Sequence, residues 1–409
     1  MPSPAVPSTP ASADFEAATA AAVTLLATAS FFSGAALRIC DGLLPRLASD
    51  FAITAGTAGR VVLTFAISYG LSQLVFGPLA DRYGKARMVC VALFGSAIAA
   101  LVCALAPGFE ALVRLRVLWG IAAAGVIPLS IAWVGDAVPY EQRQTTLARL
   151  MLGALSGQTA GQLAGGLFAD TPLGWRGAFS ALSVGYLLVA VLLLTRLRAI
   201  PAAPGSANAG AWGMARQLGS VLAIPRARLV LLTAFCEGMV LFGPLAFMPS
   251  YLHRQFGVAL SAAAALVAMF ALGGLLYSAS AHHIVRRFGE RRMVLAGGTV
   301  MGLGFVGWYL APVAWVAGPV ALATGFGTYL LHNTLQTNAT QMAPATRGSA
   351  MALFAFCFFV GQASGVTLAG FAYDHGGPAP LLLVPAALLP LMALNFARGL
   401  LRLRTPERN

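Results

Sequence analysis

The sequence predicts an all-α membrane protein: twelve transmembrane helices arranged as two pseudo-symmetric halves of six. Three observations point there. Of 409 residues, 58% are hydrophobic and only 10% are charged, with mean hydropathy +0.79, whereas soluble domains carry about 25% charged residues. Apolar runs long enough to cross a bilayer recur along the chain, and a set of residues in its first half returns in the second at a fixed interval.

A transmembrane helix needs about 20 mainly apolar residues. Segments 21–45, 57–79, 88–107, 111–135, 146–169 and 177–196 satisfy this in the first half, and 228–250, 259–281, 293–311, 315–338, 348–371 and 380–401 in the second. Residues 1–20 lack the basic start of a signal peptide and carry Asp14 and Glu16, so they are expected to form a disordered cytosolic tail. The division that follows is an N-terminal bundle over 21–198, a polar cytosolic linker over 199–227 with room for a short surface helix, a C-terminal bundle over 228–401, and a tail over 402–409.

Charge sets the orientation. Connectors on one side of these spans, with the C-terminal end, hold nineteen basic residues against four on the other. The positive-inside rule then puts both termini in the cytosol of a multi-pass protein of the plasma (inner) membrane. The same distribution accounts for a net charge of +13 and excludes nucleic acid as a partner; the partners expected are the lipid bilayer, protons and a small molecule. All five cysteines fall in apolar runs and read as small core hydrophobes, neither a metal site nor a disulfide framework. No metal-ligand cluster and no nucleophile with its base at helical spacing lies in a span, so no catalytic residue and no enzyme activity are expected.

The repeat is specific. Arg143, Gly157, Gln158, Gly161, Gly166 and Asp170 recur 204 residues later as Arg347, Gly361, Gln362, Gly365, Gly370 and Asp374. RYGKARM likewise returns as RFGERRM, with Gly84 matching Gly289 and Arg286 standing where the first copy has Asp81. A duplicated six-span unit is a common transporter architecture, with the substrate site between halves near the bilayer midplane.

Ionisable groups inside spans cost about 2.5–3.5 kcal/mol at a helix centre and are functional by default. Arg38 and Asp41 are i, i+3 on span 1 and can pair along one face, either as a working site or as a pair near the outer interface. Arg114 and Arg116 point about 200° apart on a helix; Arg116 is assigned to the cavity, and Arg114 is expected to snorkel. Glu237 lies roughly 12 Å into span 7, as a second proton site, a contact for a cationic substrate, or a neutral acid hydrogen-bonded within the bundle. Gln158 and Gln162 on span 5, and Asn333 and Gln336 on span 10, are neutral polar candidates for the cavity wall. His332 is left open between a functional and a structural role. On span 5, Gly153, Gly157, Gly161 and Gly165 form a smooth stripe extended by Gly166, which permits close helix approach and serves either as a seal or as plain packing.

Between spans 2 and 3 lies GPLADRYGKARM, with Gly77, Asp81, Arg82, Gly84, Lys85 and Arg87. Gly77 and Gly84 suit a tight turn with positive φ, and Asp136 at the end of span 4 is the expected partner of Lys85 or Arg87. By itself the loop is explained equally by topology or by gating.

This loop is similar to the signature of the major facilitator superfamily, with Ala86 where a basic residue is usual. LVRLRVLWGIAAAG resembles the family's span-4 signature with its embedded arginine at Arg116 and with Trp119 in place of glutamine. GQLAGG resembles the antiporter signature Gly-Pro-x-x-Gly-Gly, Gln162 replacing proline, and Trp175, Arg176 and Phe179 fit the pattern before span 6. The likeness covers essentially the whole chain and favours the 12-span drug/proton antiporter group. It implies alternating access and proton-coupled export of a small organic molecule (a drug, sugar or amino-acid-type metabolite), hence efflux and multidrug resistance. It also implies a monomer driven by the proton gradient without a cofactor, a coupling role for Asp41 and Arg116, and a latch at Asp81. An uptake symporter or facilitator is the alternative on the same fold.

Overall fold

The computed structural model describes residues 10–196 and 211–402; side chains are described from Thr19 onward, except those of residues 77, 78, 81, 140, 141, 211, 212 and 214. The first eight helices are α1 (Pro10–Asp50), the one-turn α2 (Ala55–Ala58), α3 (Arg60–Tyr83), α4 (Lys85–Ala104), α5 (Phe109–Ala123), α6 (Val126–Ala137), α7 (Tyr140–Ala169) and α8 (Gly174–Arg196). After α9 (Ala211–Ala223) come α10 (Pro225–Glu237), a π-helical turn (Gly238–Phe242), α11 (Gly243–Leu245), α12 (Met248–Phe256), α13 (Leu260–Leu310), α14 (Ala317–Gln341), α15 (Arg347–Gly376) and α16 (Pro378–Arg402). Strands are absent among the described residues.

Ten helical segments among the described residues are long and apolar enough to cross a membrane. Two departures from the sequence reading, at α1 and α7, have clear causes. Helix α1 starts at Pro10, inside the expected tail over 1–20; the alanine-rich stretch that follows is the best helix former, and proline fits a helix's first turn. The run α13 holds the two helices expected over 259–281 and 293–311, which meet at a kink where Gly289 leaves the helical conformation (φ 68, ψ 164). Helix α7 is not among the ten, because its glycines, glutamines and arginines dilute its hydropathy.

The expected linker over 199–227 contains α9, and α10 already begins at Pro225; residues 197–210 lie outside the described residues, as do 1–9 and 403–409 of the expected tails. Gly84 joins α3 to α4 with φ 90, and Gly289 repeats that positive φ in the second copy of the motif. Only glycine reaches such φ at little steric cost, so the repeated glycine is a backbone requirement. Gly77 is different: it lies within α3 and makes no turn.

Glycine also sets the helix packing. A Cβ on Gly153, Gly157, Gly161 or Gly165 of α7 would stand 2.4, 2.0, 2.3 or 2.1 Å from the carbonyl oxygens of Ala27, Phe31, Ala35 and Ile39 on α1. In the second half, a Cβ on Gly361 or Gly365 of α15 would stand 2.0 or 2.1 Å from those of Phe235 and Met239. Each partner is 204 residues from its counterpart, so the repeat in sequence is a repeat in packing. Small residues at both seams let backbones touch, the usual basis of helix association in lipid. Between the two sets of helices, α3 packs on α15 and α7 on α13.

Candidate functional site

The charged site begins on α1. Asp41 is fully buried and Arg38 is 5% exposed; Arg38 Nη1 stands 3.0 Å from Asp41 Oδ2. Burial of both disposes of the surface reading, in which the pair snorkels to water. Neither carboxylate oxygen takes an aligned hydrogen bond among the described residues, so the attraction is ionic. The Arg38 guanidinium lies 5.5 Å from the ring centroid of Phe242, which belongs to the π-helical turn of the C-terminal helices. The ion pair therefore sits on the seam between the two sets.

A second buried acid faces the same ring system. Glu237 is the last residue of α10, directly before the π-helical turn, and such turns occur frequently at functional sites. It is fully buried, with Oε2 2.8 Å from Nδ1 of His332 on α14 and Oε1 unpartnered among the described residues. The His332 ring lies 5.5 Å from Phe358, whose ring lies 5.1 Å from Phe242. Asp41, Arg38, Phe242, Phe358, His332 and Glu237 thus form one continuous path, and Tyr329 lies within electrostatic range of both Arg38 and Glu237. Sequence reasoning missed His332 although a signal existed: among five histidines it alone falls inside an expected span, and a buried acid needs a partner.

Arg116 also acts on Asp41, lying within electrostatic range of it. It is 1% exposed inside the N-terminal helices, with its guanidinium 4.0 Å from the Phe65 ring, 4.7 Å from Trp119 and 5.9 Å from Phe179. Its Nε donates to the Val61 carbonyl at 3.1 Å. Trp119, standing where the superfamily pattern has glutamine, is a wall of this aromatic box. Arg114, two residues earlier, is exposed as expected.

A sequence profile of the Major Facilitator Superfamily matches residues 26–366. The chain belongs to that superfamily. It is 28% identical over 377 residues to a chloramphenicol resistance protein of Streptomyces lividans, covering 89% of this chain and 94% of that one. It is 23% identical over 352 residues to the uncharacterized MFS-type transporter YceJ of Bacillus subtilis (strain 168), covering 86% and 89%. Among solved structures, a D-xylose–proton symporter superposes with TM-score 0.75 at 15% identity, covering 93% of this chain and 99% of that one, a likeness of fold. This superfamily member is accordingly a multi-pass membrane transporter.

The remaining expected residues separate into groups. In the superfamily's loop motif, Lys85 is hydrogen-bonded to Asp136, a pairing within the N-terminal helices. Arg82 stacks on Tyr83 at 5.3 Å and Arg87 is exposed, while the Asp81 side chain and Gly77 lie outside the residues whose side chains are described. Of the glycine stripe, Gly157, Gly161 and Gly165 face α1, whereas Gly166 turns to α13: its Cβ would lie 2.5 Å from Ala264 Cβ. Gln162 is buried with Nε2 unpartnered among the described residues, and its backbone carbonyl lies against Gly42, next to Asp41. Gln158 and Asn333 are half-buried and Gln336 is exposed. The buried polar tie on α14 is Asn338, which accepts from Arg226 at 2.7 Å.

Proposed function

We propose that the protein is a proton-coupled exporter, an antiporter of small organic molecules that works as a monomer by alternating access. In this reading Asp41 carries the coupling proton. The observation that carries it is the position of the Arg38–Asp41 pair: buried, and touching the opposite set of helices through Phe242. A proton arriving on Asp41 weakens its hold on Arg38 and changes the charge at the surface along which the two sets rock. A buried carboxylate left without its counter-ion is costly, so a proton and a cationic part of the substrate compete with Arg38 for Asp41. Glu237 and His332 both lie on the C-terminal helices and do not bridge the seam; they serve as a contact for a polar or cationic part of the substrate.

The membrane arrangement in this proposal is twelve spans in two bundles of six. Counting α13 as two spans about Gly289, and adding the glycine-rich α7, supports that number. The charge bias supports cytosolic termini in the plasma (inner) membrane, with the Lys85–Asp136 loop on the cytosolic face as a gating element. Energy comes from the proton gradient and no cofactor is required.

Chloramphenicol, named for the Streptomyces relative, is a rational first probe. In everted vesicles with an acidic lumen, its addition is expected to raise the lumenal pH; Asp41→Asn is expected to abolish that response while substrate counterflow persists. Uptake symport, the mode named for the D-xylose–proton structural neighbour, is the second reading. Accumulation by whole cells that rises with an inward proton gradient would establish it and defeat export.

A further inference from the structure

Two carboxylates marked by the 204-residue repeat are left unused by this mechanism. Asp170, at the C-terminal end of α7, reaches across to the first turn of α13: Leu260 N–H donates to its Oδ1 at 3.2 Å and Ser261 N–H to its Oδ2 at 2.8 Å. Asp374, near the end of α15, reaches in the opposite sense to the start of the α2–α3 run. Its Oδ1 accepts from Gly56 N–H at 3.0 Å and its Oδ2 from the Thr54 hydroxyl at 2.6 Å. Leu260 and Gly56 are themselves 204 residues apart.

The close approach beneath each carboxylate repeats as well. Four residues before Asp170, a Cβ on Gly166 would lie 2.7 Å from the Leu260 carbonyl oxygen; four before Asp374, a Cβ on Gly370 would lie 2.9 Å from Gly56 Cα. Each half thus presents glycine and, one turn later, aspartate to the start of a helix in the other half. The glycine lets the backbones meet, and the aspartate satisfies amides that a helix start leaves without intrahelical partners. Negative charge there is also favoured by the helix dipole. Both contacts lie at the end of the bundle remote from the basic loops, extracellular in the orientation proposed above.

We propose that Asp170 and Asp374 form a paired latch that holds the two bundles together at the extracellular end, so that the state seen here is closed outside and both contacts break when the transporter opens outward. The proposal rests on alternating access, but its test separates the two. Spin labels at Leu173→Cys and Val313→Cys, exposed positions on opposite sets at this end, report the gap by pulsed electron resonance in a cysteine-free background. Asp170→Ala and Asp374→Ala are each expected to raise the open-to-closed ratio about 5-fold, which is about 1 kcal/mol, the typical loss for such a residue at a helix start. The double variant is expected to give about 25-fold, since the two contacts are on separate helix pairs. Asp170→Asn and Asp374→Asn, which keep an acceptor, are expected to restore most of the closure and serve as the reading pair should the alanine variants fold poorly.

A double variant with parent-like unfolding and an unchanged distance distribution would overturn the latch. So would asparagine variants as open as the alanine ones, since acceptor geometry would then be irrelevant. A parent that shows one invariant distance under every proton gradient would instead remove alternating access itself, and the latch with it.

Discussion

Gly157→Ala tests the packing that carries the whole N-terminal bundle. The added Cβ would lie 2.0 Å from the Phe31 carbonyl oxygen and 2.7 Å from Phe31 C and Cα, all backbone atoms that no rotamer change can move aside. Reaching ordinary contact at about 3.4 Å requires α7 and α1 to part locally by about 1.4 Å, a shift that also disturbs the fits at Gly153 and Gly161 one turn away. Overpacking costs typically about 1–3 kcal/mol, and a backbone obstacle puts this site at the upper end. Alanine gains about 1 kcal/mol over glycine in helix propensity, leaving a net loss of about 2 kcal/mol. Gly219→Ala in α9 is the internal control: its Cβ would meet nothing within 4 Å, so propensity alone acts and stability is expected to rise by up to about 1 kcal/mol. Reversible unfolding in mixed micelles, titrated with a denaturing detergent, measures both. A Gly157→Ala variant as stable as the parent would refute the argument that backbone contact at this stripe is tight.

Arg116→Lys keeps the charge but loses the planar group that stacks on Phe65 and Trp119 and the Nε bond to Val61; a loss of about 2 kcal/mol in the same unfolding assay is expected, and an unchanged midpoint would contradict the aromatic-box reading. His332→Ala strips a buried acid of its partner and is expected to cost more stability than Glu237→Gln, which removes the charge instead; the reverse order in paired unfolding curves would overturn the Glu237–His332 contact. Asp170 also makes a pH prediction. Burial alone would raise its carboxyl, but the hydrogen bonds from the Ser261 side chain and from the Ser261 and Leu260 amides, with the charge of His253, outweigh burial and hold it below its ordinary value. A lowered value means that the contact is complete above the ordinary carboxylate range near 4 and is lost only as pH falls through the lowered value. The spin-label separation between Leu173→Cys and Val313→Cys is therefore expected to be flat from pH 8 to 5.5 in an Asp41→Asn background, and a widening near pH 6 would contradict the assignment.

Membrane fold and repeat were legible because lipid imposes length and composition on each span, and because a duplicated unit leaves a constant offset. Gly84, Gly289 and the α7 stripe were readable for the same reason: backbone conformation and close approach leave glycine as the signature. The pairing of Lys85 with Asp136 followed from opposite charges at adjoining helix ends. The setting of Arg116 was not legible because helical spacing gives a direction from the axis and says nothing of which neighbours stand there; three aromatic rings on α3, α5 and α8 surround it. His332 was passed over because its partner lies 95 residues away, beyond the reach of local spacing. Asp170 and Asp374 were noticed only as markers of the repeat, since their partners are backbone amides that carry no side-chain signature.

The central claim is that the proton on Asp41 sets the balance between the two open states. The separation of labels at Leu173→Cys and Val313→Cys, recorded from pH 5.5 to 8.5 without substrate, tests it directly. The account predicts a distribution that shifts with pH in the parent, no shift in Asp41→Asn, and a retained shift in His332→Gln, whose contact does not cross the seam. An Asp41→Asn variant that follows the parent's titration would contradict it.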